Sequence, residues 1–290
     1  MTAQLIDGKG IAGAKRLAMK ATVEKLKSEG MVPGLAVILV GENPASQSYV
    51  KGKIRDCKEV GIYSELVRFP ESVSEAELLD EIRKLNEKDS IHGILVQLPL
   101  PKQISERKVI QTISPAKDVD GFHPISLGKM MTGQDSFVPC TPAGIIEMLQ
   151  AVNVQIAGKH VVIVGRSNIV GKPASLLFLN HNATVTICHS KTTPLAQYTK
   201  QADVLVVAVG HAGLISAEDI KPGAVVIDVG MNRNAAGRLV GDVEFEEAKE
   251  KASFITPVPG GVGPMTRVML LENTLKAARN FFMEREPHAK

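Results

Sequence analysis

Short apolar runs alternate with amphipathic helical patterns along almost the whole chain. The first run, residues 35–40, reads Leu-Ala-Val-Ile-Leu-Val and has the length of a buried strand. The later runs share this character and lie at 93–97, 160–165, 183–188, 203–210 and 224–230. Strands that alternate with helices in this way predict an α/β protein with parallel sheets.

Capping residues mark where the helices begin and end. Asn43 is placed to cap a helix whose first residue is Pro44, and Gly61 is placed to end it. Ser74 and Glu77 have the spacing of a capping box, which predicts a helix to about residue 88. The segment 113–139, rich in proline and glycine, is predicted to be a connection.

We therefore predict two α/β domains with a cleft between them. Residues 1–140 form the first domain, and residues 141–264 form a second, Rossmann-like domain. A final helix, 265–285, lies beyond the last predicted strand and is able to return to the first domain.

Composition excludes several classes of protein. The net charge is only +3, tryptophan is absent and no block of basic residues occurs, so nucleic acid is not an expected partner. No apolar run approaches the roughly 20 residues that a membrane span needs, and the N-terminus lacks a signal-peptide pattern. The three cysteines are odd in number and lack metal-type spacing, which predicts reduced thiols in a cytoplasmic protein without a metal site.

The segment 256–266 contains three prolines and three glycines in eleven residues, and a helical pattern follows at once. Proline restricts the backbone and glycine widens its range, so the segment is predicted to be a rigid, shaped turn. Such a turn presents backbone N–H groups to a planar or anionic ligand, although an ordinary turn remains the alternative.

A nucleotide-binding turn is predicted after the strand 160–165. Gly165 and Gly171 bracket it, but their spacing is not that of G-x-G-x-x-G, so an ordinary βα connection remains the alternative. The region after the next strand, 188–192, contains no acidic residue that would bind the ribose of NAD. Arg166, Ser190 and Lys191 would instead suit a 2′-phosphate, which favours NADP.

Candidate catalytic residues lie in three segments of the first domain. Tyr49 and Lys53 are four residues apart on one helix face, although for the lysine a surface helix is the alternative. Gln97 ends an apolar strand, where open α/β sheets bind ligands. Asp118 and Asp120 flank a valine in a loop, where one of them is free to face a ligand.

These segments together resemble the bifunctional methylenetetrahydrofolate dehydrogenase/cyclohydrolase family. The motifs that match it, in order along essentially the whole chain, are Tyr-Val-Lys-Gly-Lys at 49–53, Gln-Leu-Pro-Leu-Pro at 97–101, Lys-Asp-Val-Asp-Gly at 117–121, Gly-Arg-Ser-Asn-Ile-Val-Gly at 165–171, Cys-His-Ser-Lys-Thr at 188–192 and Pro-Gly-Gly-Val-Gly-Pro-Met-Thr at 259–266. Two positions depart from the family pattern: His211-Ala212 replace a basic residue and proline, and Met231 replaces isoleucine.

The resemblance implies oxidation of 5,10-methylenetetrahydrofolate by NADP⁺ and hydrolysis of the methenyl product to 10-formyltetrahydrofolate, in one-carbon metabolism. It implies that Lys53 is the catalytic lysine, that Gln97 is its hydrogen-bonding partner, and that Tyr49 lines the folate. Asp120 would anchor the pterin. The implied cofactor contacts are Gly165, Arg166, Ser167, Ser190 and Met231, and the implied further folate contacts are Pro259, Gly260 and Gly261. A homodimer is implied as well.

Two other functions remain open from the sequence. One is a dehydrogenase that lacks the hydrolytic step, and the other is a catalytically silent regulator that binds NADP or folate. The combination of Tyr49, Lys53, Gln97 and Asp120 disfavours the regulator, because a sensor has no need of a poised lysine.

Overall fold

A computed structural model describes residues 2–285 of the chain. The helices are α1 (Gly8–Ser28), α2 (Pro44–Val60), α3 (Glu75–Glu87), α4 (Glu106–Thr112), α5 (Pro124–Met131), α6 (Cys140–Ala151), α7 (Gly171–Asn180), α8 (Ala196–Thr199), α9 (Phe245–Lys249) and α10 (Val262–Arg285). The strands are β1 (Gln4–Leu5), β2 (Gly34–Val40), β3 (Tyr63–Phe69), β4 (Gly93–Val96), β5 (His160–Val164), β6 (Thr184–Cys188), β7 (Val204–Val207), β8 (Val225–Asp228), β9 (Asn232–Arg233), β10 (Leu239–Val240) and β11 (Phe254–Ile255).

The described chain divides into two compact units, each with its own parallel sheet. The three-stranded unit comprises residues 14–140 and 267–285, and the six-stranded unit comprises residues 2–13 and 141–266. The predicted boundary is therefore wrong at the N-terminus. Residues 2–13 belong to the later unit because β1 pairs in parallel with β11, matching Gln4 with Phe254. A strand of two residues is too short to leave a periodic signal in the sequence.

In the three-stranded unit the strand order is β3-β2-β4, with every pair parallel. The central strand β2 is buried along its whole length, which explains its uninterrupted apolar sequence. The predicted caps are confirmed: the Asn43 side chain accepts hydrogen bonds at the start of α2, and Gly61 ends that helix at a φ of 88°. Ser74 and Glu77 form the predicted capping box of α3.

In the six-stranded unit the strand order is β1-β11-β8-β7-β5-β6, again with parallel pairs. The chain passes from β5 to its neighbour β6 on one side and then returns to β7 on the other side. The order of the strands therefore reverses at β5. The carboxyl ends of strands at such a switch point are where open α/β sheets bind ligands.

Several elements differ from the sequence-based expectation. The predicted connection 113–139 contains the helix α5. Pro124 is its first residue, and His123 is its N-cap. The strand β3 was not predicted, because it is an edge strand whose polar residues interrupt its apolar run. The antiparallel pair of β9 and β10 was also not predicted, since each strand has only two residues. Among residues 2–285, no helix combines the length and the apolar character that crossing a membrane requires.

Candidate active site and cofactor site

One face of the helix α2 carries Tyr49 and Lys53, two of the predicted site residues. Lys53 lies on this face with its side chain buried, at 7% exposure, and Tyr49 is half-buried one turn earlier. The surface-helix interpretation of Lys53 is therefore wrong, because a surface lysine keeps its side chain in water.

Gln97 is the hydrogen-bonding partner of Lys53. The Lys53 Nζ donates to Gln97 Oε1 at 3.1 Å, and the Gln97 Nε2 donates to the Leu98 carbonyl at 2.7 Å. The second bond determines which way the amide points, because its nitrogen is occupied by the backbone and its oxygen is left for the lysine. Gln97 directly follows β4, so the strand end positions the amide.

The ionisation of Lys53 is shifted by its surroundings. Burial lowers the pKa of Lys53 below its ordinary value, while the Asp120 carboxylate opposes this shift. The nearby Arg267 guanidinium adds to the lowering of this pKa. A lysine with a lowered pKa reaches its neutral, basic form closer to neutral pH than an exposed lysine does.

The two aspartates of the loop 117–121 have different partners. Asp118 is buried and accepts hydrogen bonds from the Phe122 N–H at 3.2 Å, the His123 N–H at 2.8 Å and the Ser126 hydroxyl at 2.8 Å. These bonds hold the chain that enters α5. Burial raises the pKa of Asp118 to about 6, and the hydrogen bonds oppose this rise.

Asp120 interacts with two side chains, those of Lys53 and Cys140. Burial raises its pKa, while attraction to Lys53 and the neighbouring Cys140 thiol lower it. A carboxylate beside a cation in a poorly hydrated site keeps its capacity to accept hydrogen bonds from a ligand. Of the two aspartates in the loop, Asp120 is the one available for binding.

Cys140 is a neighbour of these charges that the sequence did not reveal. Its thiol lies within 3.3 Å of the Val119 carbonyl, and the Asn273 amide donates to the carbonyls of Val119 and Val138. Burial raises the pKa of Cys140 well above its ordinary value, so the thiol stays neutral. Asn273 belongs to α10, and no local sequence signal connects it to a loop more than 130 residues earlier.

A buried ion pair on α2 was also missed. Asp56 is 1% exposed, and Arg267 donates its Nε to Asp56 at 2.6 Å. The glycine at position 52 leaves room for this arginine, because a Cβ there would lie 3.3 Å from Arg267 Cδ. The pair attaches α10 to the helix that carries Tyr49 and Lys53. The spacing of Tyr49, Gly52, Lys53 and Asp56 on one helix face was the available signal.

In the six-stranded unit, the predicted nucleotide-binding turn joins β5 to α7. Gly165 has a φ of 131°, and a Cβ on it would collide with the Ala208 carbonyl. A Cβ on Gly171 would likewise collide with the Gly165 carbonyl. Ser167 accepts hydrogen bonds from the Val170 and Gly171 N–H groups at the start of α7. The two glycines thus allow a backbone packing that fits the close approach of a dinucleotide.

Arg166 and Ser190 follow neighbouring strands at the same edge of the sheet. Val164 of β5 is paired with Cys188 of β6, and the Gly165 N–H donates to the Cys188 carbonyl at 2.9 Å. Arg166, Ser190 and Lys191 are all exposed. Exposed cationic and hydroxyl groups at this edge suit a phosphate.

The remaining predicted residues of this unit lie beyond β8 and β11. Met231 follows β8 and is 44% exposed. The turn at Pro259, Gly260 and Gly261 is held by backbone hydrogen bonds, from Lys9 N to Gly260 O and from Gly261 N to Pro257 O, each 2.8 Å. Gly260 has a φ of 113°, which favours glycine. The turn therefore has a defined backbone conformation. Its contact with folate stays a prediction.

Comparisons with known proteins cover both units. Residues 6–120 match the model of the tetrahydrofolate dehydrogenase/cyclohydrolase catalytic domain, and residues 139–282 match that of the family's NAD(P)-binding domain. The bifunctional protein FolD of Bacillus anthracis is 61% identical over 279 residues, covering 96% of this chain and 98% of that protein.

Two solved structures extend this similarity. FolD from Campylobacter jejuni is 50% identical with a TM-score of 0.94, over 96% of this chain and 99% of that one. The dehydrogenase-cyclohydrolase of Trypanosoma brucei, solved with NADP cofactor and an inhibitor, is 40% identical with a TM-score of 0.93, over 97% of this chain and 98% of that one.

Proposed function

The chain belongs to the tetrahydrofolate dehydrogenase/cyclohydrolase family, and we propose that Lys53, Gln97 and Asp120, with Tyr49, form its folate site. The protein is a bifunctional enzyme. It oxidises 5,10-methylenetetrahydrofolate to 5,10-methenyltetrahydrofolate with NADP⁺, and it hydrolyses this product to 10-formyltetrahydrofolate.

The observation that carries the site proposal is the buried Lys53, hydrogen-bonded to Gln97 and charge-coupled to Asp120. Hydrolysis needs a water that loses a proton as it attacks the methenyl carbon. The neutral amine of Lys53 accepts that proton as the carbon–oxygen bond forms. The resulting ammonium can return the proton to the folate nitrogen as the bond from this nitrogen to the carbon breaks, and the hydroxyl on the carbon releases its remaining proton to water to form the formyl carbonyl. Gln97 holds the Lys53 Nζ in place for both transfers.

Asp120 and Tyr49 bind and orient the folate. The pterin ring presents adjacent N–H donors, and the Asp120 carboxylate can accept a pair of hydrogen bonds from them. The half-buried Tyr49 ring supplies an apolar wall with a polar tip. Both reactions need this same bound folate, so both depend on these two residues.

The cofactor is proposed to lie at the switch point of the six-stranded unit. The Gly165–Gly171 turn fits the pyrophosphate, and Arg166 with Ser190 fits the 2′-phosphate that distinguishes NADP. Ser167 orders the start of α7, and Met231, on the loop after β8, would contact the nicotinamide. When bound at this site, NADP⁺ would supply the acceptor for the hydride that leaves the one-carbon bridge. The turn at Pro259, Gly260 and Gly261 is proposed to contact the folate.

A spectrophotometric assay tests the whole assignment. The protein is mixed with 5,10-methylenetetrahydrofolate and NADP⁺, and the formation of NADPH and of methenyltetrahydrofolate is followed. The methenyl compound is then added alone, and its disappearance is compared with that in buffer. We expect both reactions to be accelerated. Dehydrogenation without accelerated hydrolysis would make the protein a monofunctional dehydrogenase, and neither reaction would make it a binding regulator.

We also propose that the enzyme is a homodimer that forms along the edge strand β6. This strand has a neighbour on one side only, and Ile187 on β6 and Leu179 on α7 are 39% and 58% exposed. An edge strand with exposed apolar neighbours can be covered by a second copy related by a two-fold axis. Light scattering on the unaltered protein and on Leu179→Glu should report a dimer and a monomer, respectively; a monomeric unaltered protein would exclude the proposal.

The compartment proposed for the enzyme is the cytoplasm, with purine biosynthesis as one consumer of its product. The support is that Cys57, Cys140 and Cys188 are all free thiols, as expected in a reducing compartment. Locating a tagged full-length chain by cell fractionation tests the compartment, and recovery in a secreted fraction would contradict it.

A further inference from the structure

Two buried aspartates in the six-stranded unit have no part in the functional site described above. Asp228 ends β8 and is 3% exposed, and Asp242 follows β10 and is 0% exposed. Aspartate is almost never fully buried unless its charge is compensated, so both positions require an explanation.

Asp242 accepts four hydrogen bonds, and three of them come from consecutive backbone N–H groups. Its Oδ2 accepts from Val209 at 2.7 Å and from Gly210 at 3.0 Å, and its Oδ1 accepts from His211 at 2.8 Å. The fourth bond, at 2.8 Å, comes from the side-chain amide of Asn232. One carboxylate thus organises a whole backbone loop and a neighbouring side chain.

The loop that Asp242 organises lies at the switch point of the sheet. Residues 209–211 follow β7, and the Ala208 carbonyl lies directly against the backbone of Gly165 in the nucleotide-binding turn. Asn232, the other group held by Asp242, directly follows Met231 on the loop after β8. Asp242 therefore connects the loops at the carboxyl ends of two adjacent strands.

Asp228 in turn holds Asp242. The Asp228 carboxylate accepts hydrogen bonds from the N–H groups of Asp242, Val243 and Gly230, each at 2.9 Å. A Cβ on Gly241 would collide with the Asp228 carboxylate, and a Cβ on Gly230 would collide with that of Asp242. The two carboxylates thus lie in a closely packed backbone environment that permits little adjustment.

The division between buried and exposed groups shows how Asp242 acts. Its carboxylate is shielded from solvent, whereas Val209, Gly210 and His211, whose N–H groups it holds, are exposed. Asp242 therefore has no surface with which to touch a ligand, but the loop that it shapes does. An acceptor is required here, since three consecutive N–H groups without one would force the loop into another conformation.

We propose that Asp242 is a positioning residue for the nicotinamide cofactor, which keeps the loop 209–211 and the Met231 loop in the arrangement that binds NADP. This inference rests on the cofactor site proposed above at the switch point between β5 and β7. Asp242 acts through these loops, and its loss should affect cofactor binding without affecting the folate chemistry.

The substitution Asp242→Asn tests this role. It replaces one carboxylate oxygen by an NH₂ group, which faces N–H donors and makes no hydrogen bond with them. We expect the Kd of NADP⁺, measured by calorimetry, and the KM of NADP⁺ in the dehydrogenase reaction to rise at least tenfold. Cyclohydrolase activity on added methenyltetrahydrofolate, measured without cofactor, should stay within threefold of the unaltered rate.

A matched control lies at the opposite end of the same strand. Asp203 directly precedes β7 and accepts hydrogen bonds from the His160 N–H at 2.9 Å and from the Lys221 Nζ at 2.6 Å. Asp203→Asn also removes a carboxylate that holds backbone in this sheet, but at the amino ends of the strands. It should lower the unfolding temperature while leaving the Kd and KM of NADP⁺ within twofold.

The second variant, Asn232→Ala, removes a single hydrogen-bond donor to Asp242. It tests the same effect on NADP⁺ binding if Asp242→Asn unfolds at the assay temperature. We expect a few-fold rise in the Kd of NADP⁺. An unchanged Kd in the folded Asp242 variant, or in Asn232→Ala if that variant has to be used, would overturn the proposal. An equal rise with Asp203→Asn would also overturn it. Failure of the cofactor site itself is distinct, since the unaltered protein would then bind no NADP⁺.

Discussion

Asp242 of the six-stranded unit accepts hydrogen bonds from three backbone N–H groups and one side-chain amide, whereas Asp120 of the three-stranded unit interacts electrostatically with the Lys53 side chain and with the Cys140 thiol. The hydrogen bond that lowers the pKa of Asp120 comes from a side chain, that of Cys140. A carboxylate whose oxygens are occupied by backbone donors determines the course of the chain. A carboxylate that faces another side chain keeps acceptor capacity for a ligand.

The loop 117–121 contains both kinds of aspartate two residues apart. Asp118 resembles Asp242, because two backbone N–H groups and a hydroxyl occupy its oxygens. Asp120 shares the loop but lies beside Lys53. The residue type therefore does not decide the role of a buried charge; the identity of its hydrogen-bond donors does.

The largest effect is expected from Lys53→Met, which removes the amine that faces Asp120 and keeps the length of the side chain. Cyclohydrolase activity should fall by roughly 10²- to 10⁴-fold, since it loses the group that transfers the proton. Dehydrogenase activity should fall less, because hydride transfer depends mainly on orientation. Both reaction rates are measured, and NADP⁺ binding shows that the variant is folded.

Lys51→Met, on the exposed face of the same helix, is the control. Hydrolysis within a few-fold of the unaltered rate would remove Lys53 from the mechanism.

Asp120→Ala tests whether the available carboxylate binds the folate. Both activities should fall together, by roughly 10- to 150-fold, which corresponds to a charge-assisted contact of about 1.5–3 kcal/mol. The KM of the folate in each reaction is the quantity to measure. Asp80→Ala, which removes an exposed carboxylate of α3, should change neither. Loss of one activity alone, with folate affinity intact, is incompatible with the proposed role.

Arg166→Ala tests whether exposed groups, rather than buried charges, select the ligand of the six-stranded unit. Affinity for NADP⁺ should fall by about 10- to 150-fold and affinity for NAD⁺ much less, because only NADP⁺ has the 2′-phosphate. The kcat/KM of both cofactors checks this, with Arg238→Ala on an exposed arginine as control. Equal kcat/KM for the two cofactors in the unaltered enzyme would refute the assignment.

The smallest effect concerns the pH dependence that Asp118 introduces. Its pKa is raised to about 6 from an ordinary value of 3.8, so the folded state binds its proton more tightly than the unfolded state. The associated stabilisation is fully present below the unfolded pKa and is lost as pH rises through 6. Between pH 4.5 and 7.5, the unaltered protein should lose about 2 kcal/mol of stability relative to Asp118→Asn.

Urea unfolding of both proteins across this pH range measures the difference. A constant difference in stability between the two proteins would show that the pKa of Asp118 is not raised in the folded state.

Several parts of the fold could be predicted from the sequence because their signals are local. The capping residues Asn43 and Ser74, the alternation of strands with helices, and the absence of an acid after β6 each depend on neighbouring residues. The predictions of α/β architecture, of NADP and of the family are confirmed. The positions proposed for the folate and cofactor contacts stay predictions.

Asp228 was also within reach of the sequence. Like Gln97, it is a polar residue at the end of a buried apolar strand. Asp242 had no such signal, because its donors lie more than 20 residues earlier in residues 209–211 and its fourth donor is a side chain.

The sequence by itself determined the alternation of the main strands and helices, the family and the residue types expected in the site. Only the tertiary structure decided that Lys53 is buried, that Gln97 turns its oxygen towards it, and that backbone N–H groups occupy the carboxylate of Asp118. The tertiary structure also assigned residues 2–13 to the six-stranded unit. The physical reason is that backbone propensity and capping act between neighbours in sequence, whereas burial and hydrogen-bond partners depend on groups that meet only when distant segments pack.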